Sequence, residues 1–497
     1  MVSTRPAAAL AIAVLLAGVS PGAGEEPAPM SLDAFGLLVA QQSRPSFTVL
    51  GAGARAAGMG GAFTALADDA SAASFNPAGL ALLLRPEATV VLGGRRRVES
   101  HAPFDQVEEG LLEVYGGSRV ADTTLAANFA AFTLPFEVRG HNLSLQVSYH
   151  RTIEFDWRAT RAFAESVGGV ETASFLQSID QSGAIDTFSL AAALQATERL
   201  SLGLTLSRWQ GGWSFATRTS EREADGGGAD QLLFAQDNDW NGWNATLGAL
   251  LRYRYLNLGA ALRTEFSGDY RVDSSLAATF ETPFPERSRF RGELDWPASW
   301  TLGIALKPLQ TWFVTVDYAQ VDWDDFRIQG LPEGPVNFLD LRPVESSRTR
   351  ATADWRFGTE VTFFADRDLW ALRAGHWRAP RAQRLTAGDP GDTTLGWTLG
   401  AGWRRGPLAI DLAWQRSTHS APTLEFVDPE EIAAGGVEPQ AEGRVAVSEQ
   451  RVLISVLYQF ESRAALRRIF HFLFVGPLEP KPAAPAPPAA GSPGGPA

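Results

Sequence analysis

The sequence predicts an all-β protein: a transmembrane antiparallel β-barrel of about 14 strands, with an N-terminal segment plugging its lumen. Three observations predict it. Between Glu87 and Phe460, one segment after another alternates apolar and polar side chains at a period of two. The connections between these segments alternate between tight turns and long polar loops, as they do in outer-membrane barrels. Mean hydropathy is −0.08 although 45% of the residues are hydrophobic. Strands with one lipid face and one lumenal face average to neutral in this way.

Residues 1–24 read as a signal peptide. Arg5 supplies the positive start, Ala7 to Val19 the apolar core, and Ser20 to Gly24 the small residues for cleavage. The apolar run is too short to span a bilayer comfortably, and no later run is long enough to cross as a helix.

Residues 25–86 do not alternate. They carry Gly51-Ala-Gly-Ala-Arg-Ala-Ala-Gly-Met-Gly-Gly61, then ALADDAS at 65–71 and FNPAGL at 75–80. A dinucleotide fingerprint would need a βαβ unit behind it, and none follows. Gly and Ala suit close packing in a confined lumen, so this segment is expected to be the plug. Asn76 is placed to cap a helix that Pro77 opens.

Strands are expected near 87–97, 123–138, 141–156, 183–197, 199–217, 241–255, 256–272, 295–307, 311–327, 352–364, 369–379, 394–405, 407–419 and 447–460. Leu200, Leu202, Leu204 and Leu206 against Ser201, Gly203, Thr205 and Ser207 show the pattern at its clearest. Tight turns include Arg139-Gly140 and Arg405-Gly406. The long loops include 157–182, 218–240, 273–294, 328–351 and 420–446. An even strand number puts both termini on the short-turn, periplasmic side. Trp157, Trp209, Trp240, Trp312, Trp323, Trp370, Trp377 and Trp403 lie near segment ends and are expected in the interfacial girdles. Gly203, Gly248, Gly259, Gly303, Gly358, Gly400 and Gly402 fall on the polar face, where an inward glycine leaves room for another backbone. Beyond Phe460, residues 461–497 form a basic-hydrophobic segment and a Pro/Ala-rich tail, expected in the periplasm and offering a site for a partner there.

Together the plug motif and an ordered set of later motifs resemble the FadL/TodX family of outer-membrane hydrophobic-compound transporters. The later motifs are Trp240-Asn-Gly-Trp-Asn, Asn257-Leu-Gly-Ala-Ala-Leu-Arg-Thr, Trp296-Pro-Ala-Ser-Trp-Thr-Leu-Gly, Asp317 and Asp322-Trp-Asp-Asp-Phe326. The resemblance implies an N-terminal hatch in a barrel of fourteen strands. It also implies passive uptake of long-chain fatty acids or aromatic hydrocarbons, with hatch movement and release toward the bilayer through a kinked strand. Strand three contains no Gly or Pro, so the kink has no position in the sequence. By the same resemblance Phe75, Asn76, Pro77 and Ala78, with Asp68 and Asp69, sit in the hatch as gating and ligand-contact candidates. A carboxylate ligand would want a lumenal cation, and Arg208, Arg252, Arg263 and Lys307 are read as inward-facing. The GARAAGMGGAF wording is also similar to a PorV-like group, which implies the alternative of a partner barrel in a secretion or envelope complex.

Composition narrows the remaining classes. With no cysteine, thiol chemistry and Cys-built metal sites are excluded; six scattered histidines argue against a His-built cage, and no metal or cofactor is expected. A net charge of −13 argues against nucleic acid. His141, His150, His376 and His419 form no Ser/His pairing, so no enzyme is expected. The expected partners are a hydrophobic small molecule or lipid, outer-membrane lipid and lipopolysaccharide, in the outer membrane of a Gram-negative bacterium.

Overall fold

The computed structural model describes residues 51–461, apart from 102–103, 109–110, 116–117, 168–169, 224–228, 280–286, 333, 341, 383–392 and 425–440. The signal peptide, the stretch 25–50 and nearly all of the C-terminal tail lie outside the described residues.

The chain forms a closed antiparallel barrel of 14 strands. They are β1 (Glu87–His101), β2 (Ser118–Val138), β3 (His141–Glu154 continued by Trp157–Val167), β4 (Val170–Gln195), β5 (Leu200–Glu223) and β6 (Ala229–Arg252). Then follow β7 (Leu256–Arg263 and Phe266–Ala278), β8 (Arg287–Trp296 and Ser299–Leu309), β9 (Trp312–Val321) and β10 (Thr352–Ala365). The last are β11 (Asp368–Pro380), β12 (Thr393–Arg405), β13 (Leu408–Leu424) and β14 (Ala441–Gln459). The ring closes where β1 pairs with β14, from Glu87 against Gln459 to His101 against Val445.

Alternation decides which face is which. On β5, Leu202, Leu204 and Leu206 are exposed while Ser201, Thr205 and Ser207 are buried. An exposed leucine row around a closed ring has only one favourable solvent, the acyl chains of a bilayer. The tight turns form where glycine permits a left-handed backbone: φ is 52° at Arg139 and 82° at Gly140.

Three predicted loops are corrected. Most of 157–182, 218–240 and 273–294 is strand, the outward continuation of β3 to β8. Charges at alternate positions, such as Asp269, Arg271 and Asp273 on β7, read as loop polarity. They face water beyond the aliphatic belt, while Tyr270 and Val272 between them are buried. The connection after β9 carries two short strands, Arg327–Gln329 paired with Glu293–Asp295 and Val336–Asn337 paired with Arg327 and Ile328, and it folds inward to bury Phe326, Ile328 and Phe338.

Candidate functional site

Residues 51–84 touch nearly every side of the ring. Ala54 N–H donates to Ser455 Oγ on β14 at 2.7 Å. Thr398 Oγ1 on β12 donates to Gly58 O at 2.8 Å. Asp317 on β9 accepts from the backbone N–H groups of Phe63 and Thr64, both at 2.9 Å. Gln146 on β3 donates to Ala70 O at 2.9 Å, and Thr205 on β5 donates to Ala73 O at 3.2 Å. A segment bonded to opposite walls of a closed ring lies inside it, so this segment fills the lumen.

The inward glycines make room for it. A Cβ at Gly203 would overlap the backbone of Pro77 and Ala78. One at Gly248 would overlap Asn76, and one at Gly259 the Thr64 carbonyl. Gly303, Gly358 and Gly400 face Ala65, Met59 and Gly58 in the same way. Gly402 differs, because it accommodates Asp411 and Arg373 of the wall.

Among the predicted hatch residues, Asn76 makes the most bonds. It is fully buried. Its Oδ1 accepts from Ala78 N–H at 3.1 Å, capping the 3-10 helix Pro77–Leu82 with Pro77 in the first turn. Its Nδ2 donates to Thr64 O and, on β6, to Ala249 O, both at 2.9 Å. Pro77 and Ala78 are buried in that helix, and the Phe75 ring packs edge-on against Phe63 at 5.6 Å. Asp69 is turned to local work, accepting from Ser71 N–H and Oγ. Asp68 bonds Arg55, and Arg55 reaches the wall. It donates to both carboxylate oxygens of Glu360 on β10, at 2.8 and 2.9 Å. Glu360 also accepts from Arg373 at 2.5 Å, and Arg373 donates to Asp411 at 2.7 Å. Burial lowers the Arg55 pKa, but Asp68 and Glu360 outweigh it and the net direction is upward. Burial pushes the Asp68 carboxyl up, and Arg55 opposes it without cancelling it. This chain of charges latches the hatch to one side of the barrel.

The barrel wall carries a window that sequence reasoning did not place. β2 pairs with β3 only from Phe129 against His150 down to Val138 against His141. Above that, Ser118 to Ala127 pair with β1 alone among the described strands. β3 carries a register shift between Arg151 and Ile153, and its strand is interrupted at Phe155-Asp156, where the Phe155 N–H still donates to the Gly183 carbonyl of β4, at 3.0 Å. There the Asp156 carboxylate takes the Gly183 N–H of β4 at 3.0 Å, and Gly183 has a φ of 135°. Higher up, the hairpin Phe104–Glu108 and Leu111–Tyr115 rejoins β3 at Leu112 to Val114. The window is thus a break in the β2–β3 ladder, with strand pairing below it and, through the hairpin, above it. Thr124 Oγ1 donates across it to Glu154 Oε1 at 2.6 Å, and Arg95 donates to Asp156 O. Leu125, on the outer face at its edge, is 86% exposed.

Behind the window lies an apolar compartment. Phe155 turns inward and packs on Trp213 at 4.6 Å. The cluster continues through Trp209, Trp240, Tyr270, Trp296 and Phe326. Trp157, Trp209 and Trp240 were expected in the membrane girdle, but they are buried, and Trp323 packs against the same cluster. Position near a segment end does not say which face a ring takes; parity does, and Trp209 shares parity with Ser207 and Thr205. Trp312 and Trp370 are exposed, as a girdle position requires. Of the apolar residues in the predicted long loops, Phe175, Leu232 and Phe234 are buried and Leu176 and Leu233 are exposed.

Between this cluster and the hatch is a cavity of about 30 Å³, lined mainly by hydroxyl groups with His150, Asn244, Trp209 and Arg263. That is room for about one or two waters. Of the four predicted cations, Arg263 lines this cavity, with its guanidinium 5.9 Å from the Trp209 ring. Arg252 and Lys307 lie near Asp68, on the hatch side. Arg208 is corrected: it follows the exposed Leu206 in parity and lies over Trp243, which is 62% exposed on the outer face.

An Uncharacterised protein family (UPF0164) matches residues 38–101, the plug segment and β1. No curated protein sequence matches the chain. Among solved structures, a Pseudomonas aeruginosa FadL homologue is similar with a TM-score of 0.61 and 15% identity, over 84% of this chain and 100% of that one. The Pseudomonas putida toluene transporter TodX gives 0.51 and 15%, over 83% of this chain and 99% of its own. The monoaromatic hydrocarbon channel CymD gives 0.51 and 15%, over 84% and 100%. Ring closure, strand count and near-complete coverage agree, and the chain therefore has the fourteen-strand barrel fold of the FadL homologue and TodX.

Proposed function

We propose that the protein is an outer-membrane transporter for passive uptake of hydrophobic molecules, either long-chain fatty acids or aromatic hydrocarbons. The observation that carries this is the buried aromatic compartment joined to a window in the wall. A water-filled porin has no use for a dry aromatic lumen. A hydrophobe crossing the polar leaflet surface does, because burial of its apolar area replaces contact with water. The structurally similar proteins are described as transporters and channels, which points away from an enzyme.

The geometry supports one route. A guest enters the aromatic compartment from outside and displaces ring contacts there. The cavity beneath is too small for it and the hatch closes the lumen, so onward movement requires the hatch to shift. The window offers a way out toward the bilayer without crossing water. Its polar links, Thr124 to Glu154 and Arg95 to Asp156, are the gate.

The chain has no cysteine, so introduced thiols are unambiguous. With Thr124→Cys and Glu154→Cys joined by a short bis-maleimide, uptake of labelled oleate and toluene by cells is expected to fall to the level of a deletion strain. Either cysteine alone breaks the Thr124–Glu154 link without a tether and should leave uptake at or above the parent level. Unchanged uptake in the cross-linked protein would exclude the window as the exit, and unchanged uptake in the deletion strain would exclude transport itself.

A further inference from the structure

We propose that the lumen binds planar aromatic acids, with the rings held among Trp240, Phe266 and Trp296 and the anionic group on Arg263. This rests on the transport reading and narrows it, since that reading requires only a hydrophobic guest.

Two independent features carry the proposal. The first is the geometry of the rings. Trp240 lies at 24° to Trp296 and 29° to Phe266, with centroids 5.5 and 5.4 Å apart. Phe266 and Trp296 are at 28° and 6.5 Å. Near-parallel rings can part to take a flat guest and keep a face contact on each side. A flexible alkyl chain entering there loses the ring–ring geometry and replaces it with nothing equivalent.

The second feature is the charge. Among the described residues Arg263 has no hydrogen-bond or ion-pair partner. The charge that acts on it is another cation, Arg356, whose own carboxylate contact is Asp354 at 3.3 Å. A lumenal guanidinium without a counter-ion is costly unless an anion visits it. Trp209 connects the two features. Its ring is 5.4 Å from both Phe266 and Trp296 and stacks under the guanidinium. An acid group directly on a ring, one ring away from the stack, therefore reaches Arg263.

The test uses the full-length barrel in lipid nanodiscs and titration calorimetry with three probes. These are 2-naphthoate, neutral naphthalene, and undecanoate, an alkyl acid of equal carbon number. The naphthoate is expected to bind about tenfold or more tighter than either of the others. Arg263→Gln should remove that gain over naphthalene, and Arg263→Lys should restore part of it. Trp296→Leu should weaken naphthoate several-fold and leave undecanoate unchanged. Arg263→Gln should also melt no lower than the parent, because no hydrogen bond or ion pair is lost; a lower melting point would mark the arginine as structural and overturn the proposal. Equal or tighter binding of undecanoate, or naphthoate binding indifferent to Arg263→Gln, would overturn it while leaving hydrophobe transport standing. Binding of none of the three probes would remove both readings.

Discussion

Asn76 shows how much one side chain can hold. It is buried, caps a helix, and ties the hatch to itself at Thr64 and to the wall at Ala249. Asn76→Ala takes away the partners that Asn76 gives the Thr64 carbonyl and the Ala78 N–H in a buried site, each costing about 1–3 kcal/mol, and removes the side-chain bond to Ala249 of the wall. The expected outcome is a barrel that still forms, with a loosened hatch. Single-channel recording should then show larger and more frequent openings than the parent. The residue was legible in the sequence as a cap before Pro77. Its second bond, to β6, was not, because residue 249 is distant in the chain and only ring closure brings it near. Arg208 and Arg263 teach the complementary lesson. Both were read as lumenal, yet one lies over Trp243 on the outer face and the other lines the lumenal cavity. Parity should have separated them, since Arg208 follows Leu204 and Leu206 in the lipid-facing register.

At the scale of a single element, β3 decides the wall. Its lower part runs between β2 and β4, and its upper part loses β2 altogether. The cause lies partly on the neighbouring strand. Gly183 adopts a φ of 135°, and its N–H is taken by the Asp156 side chain in place of a ladder carbonyl. A β-branched residue cannot hold that backbone, and a Cβ at Gly183 would also meet the backbone of Gly212 and Trp213. Gly183→Val is therefore expected to disturb the bend, cost about 1–3 kcal/mol and reduce uptake. Uptake in cells and thermal unfolding in nanodiscs would check it; an unchanged rate would mean the bend does not shape the window. A kink sought as Gly or Pro within β3 could not be found, because the permissive glycine sits across the ladder on β4. The tryptophans misread as girdle residues failed for a related reason. Strands β3 to β8 run beyond the membrane, so a ring halfway along one of them resembles a ring at its end.

For the whole molecule, the segment 51–84 is bonded to a wall that leaves it space. Six inward glycines give it space, Asp317 grips its backbone, and the Asp68–Arg55–Glu360–Arg373–Asp411 chain fastens one side. The barrel strands are bonded to neighbours on both sides along most of their length, whereas residues 51–84 are held by side-chain hydrogen bonds and by apolar packing such as Ala54 and Ala57 with Val91, Phe129 and Leu453. Glu360→Gln removes the charge between two arginines and leaves both under-neutralised, a large perturbation for a buried site. It is expected to release the hatch at a denaturant concentration well below that needed to unfold the barrel. Loss of protease protection within residues 51–84, with the barrel still resistant to heat in detergent, is the measurable sign. Simultaneous loss of both would show that hatch and barrel unfold as one unit.

Alternation and composition were enough to predict the barrel and the number of its strands, and they led to the expectation of a compact plug. These are local properties, written in a period of two and in runs of glycine and alanine, and no distant contact is needed to read them. Tertiary structure decided the window, the aromatic compartment and the choice of Arg263 among the cations. Each depends on which strands stop pairing and which side chains converge across the ring. Such convergence comes from closure, where residues far apart in the chain meet, and nothing in a strand's own alternation encodes it.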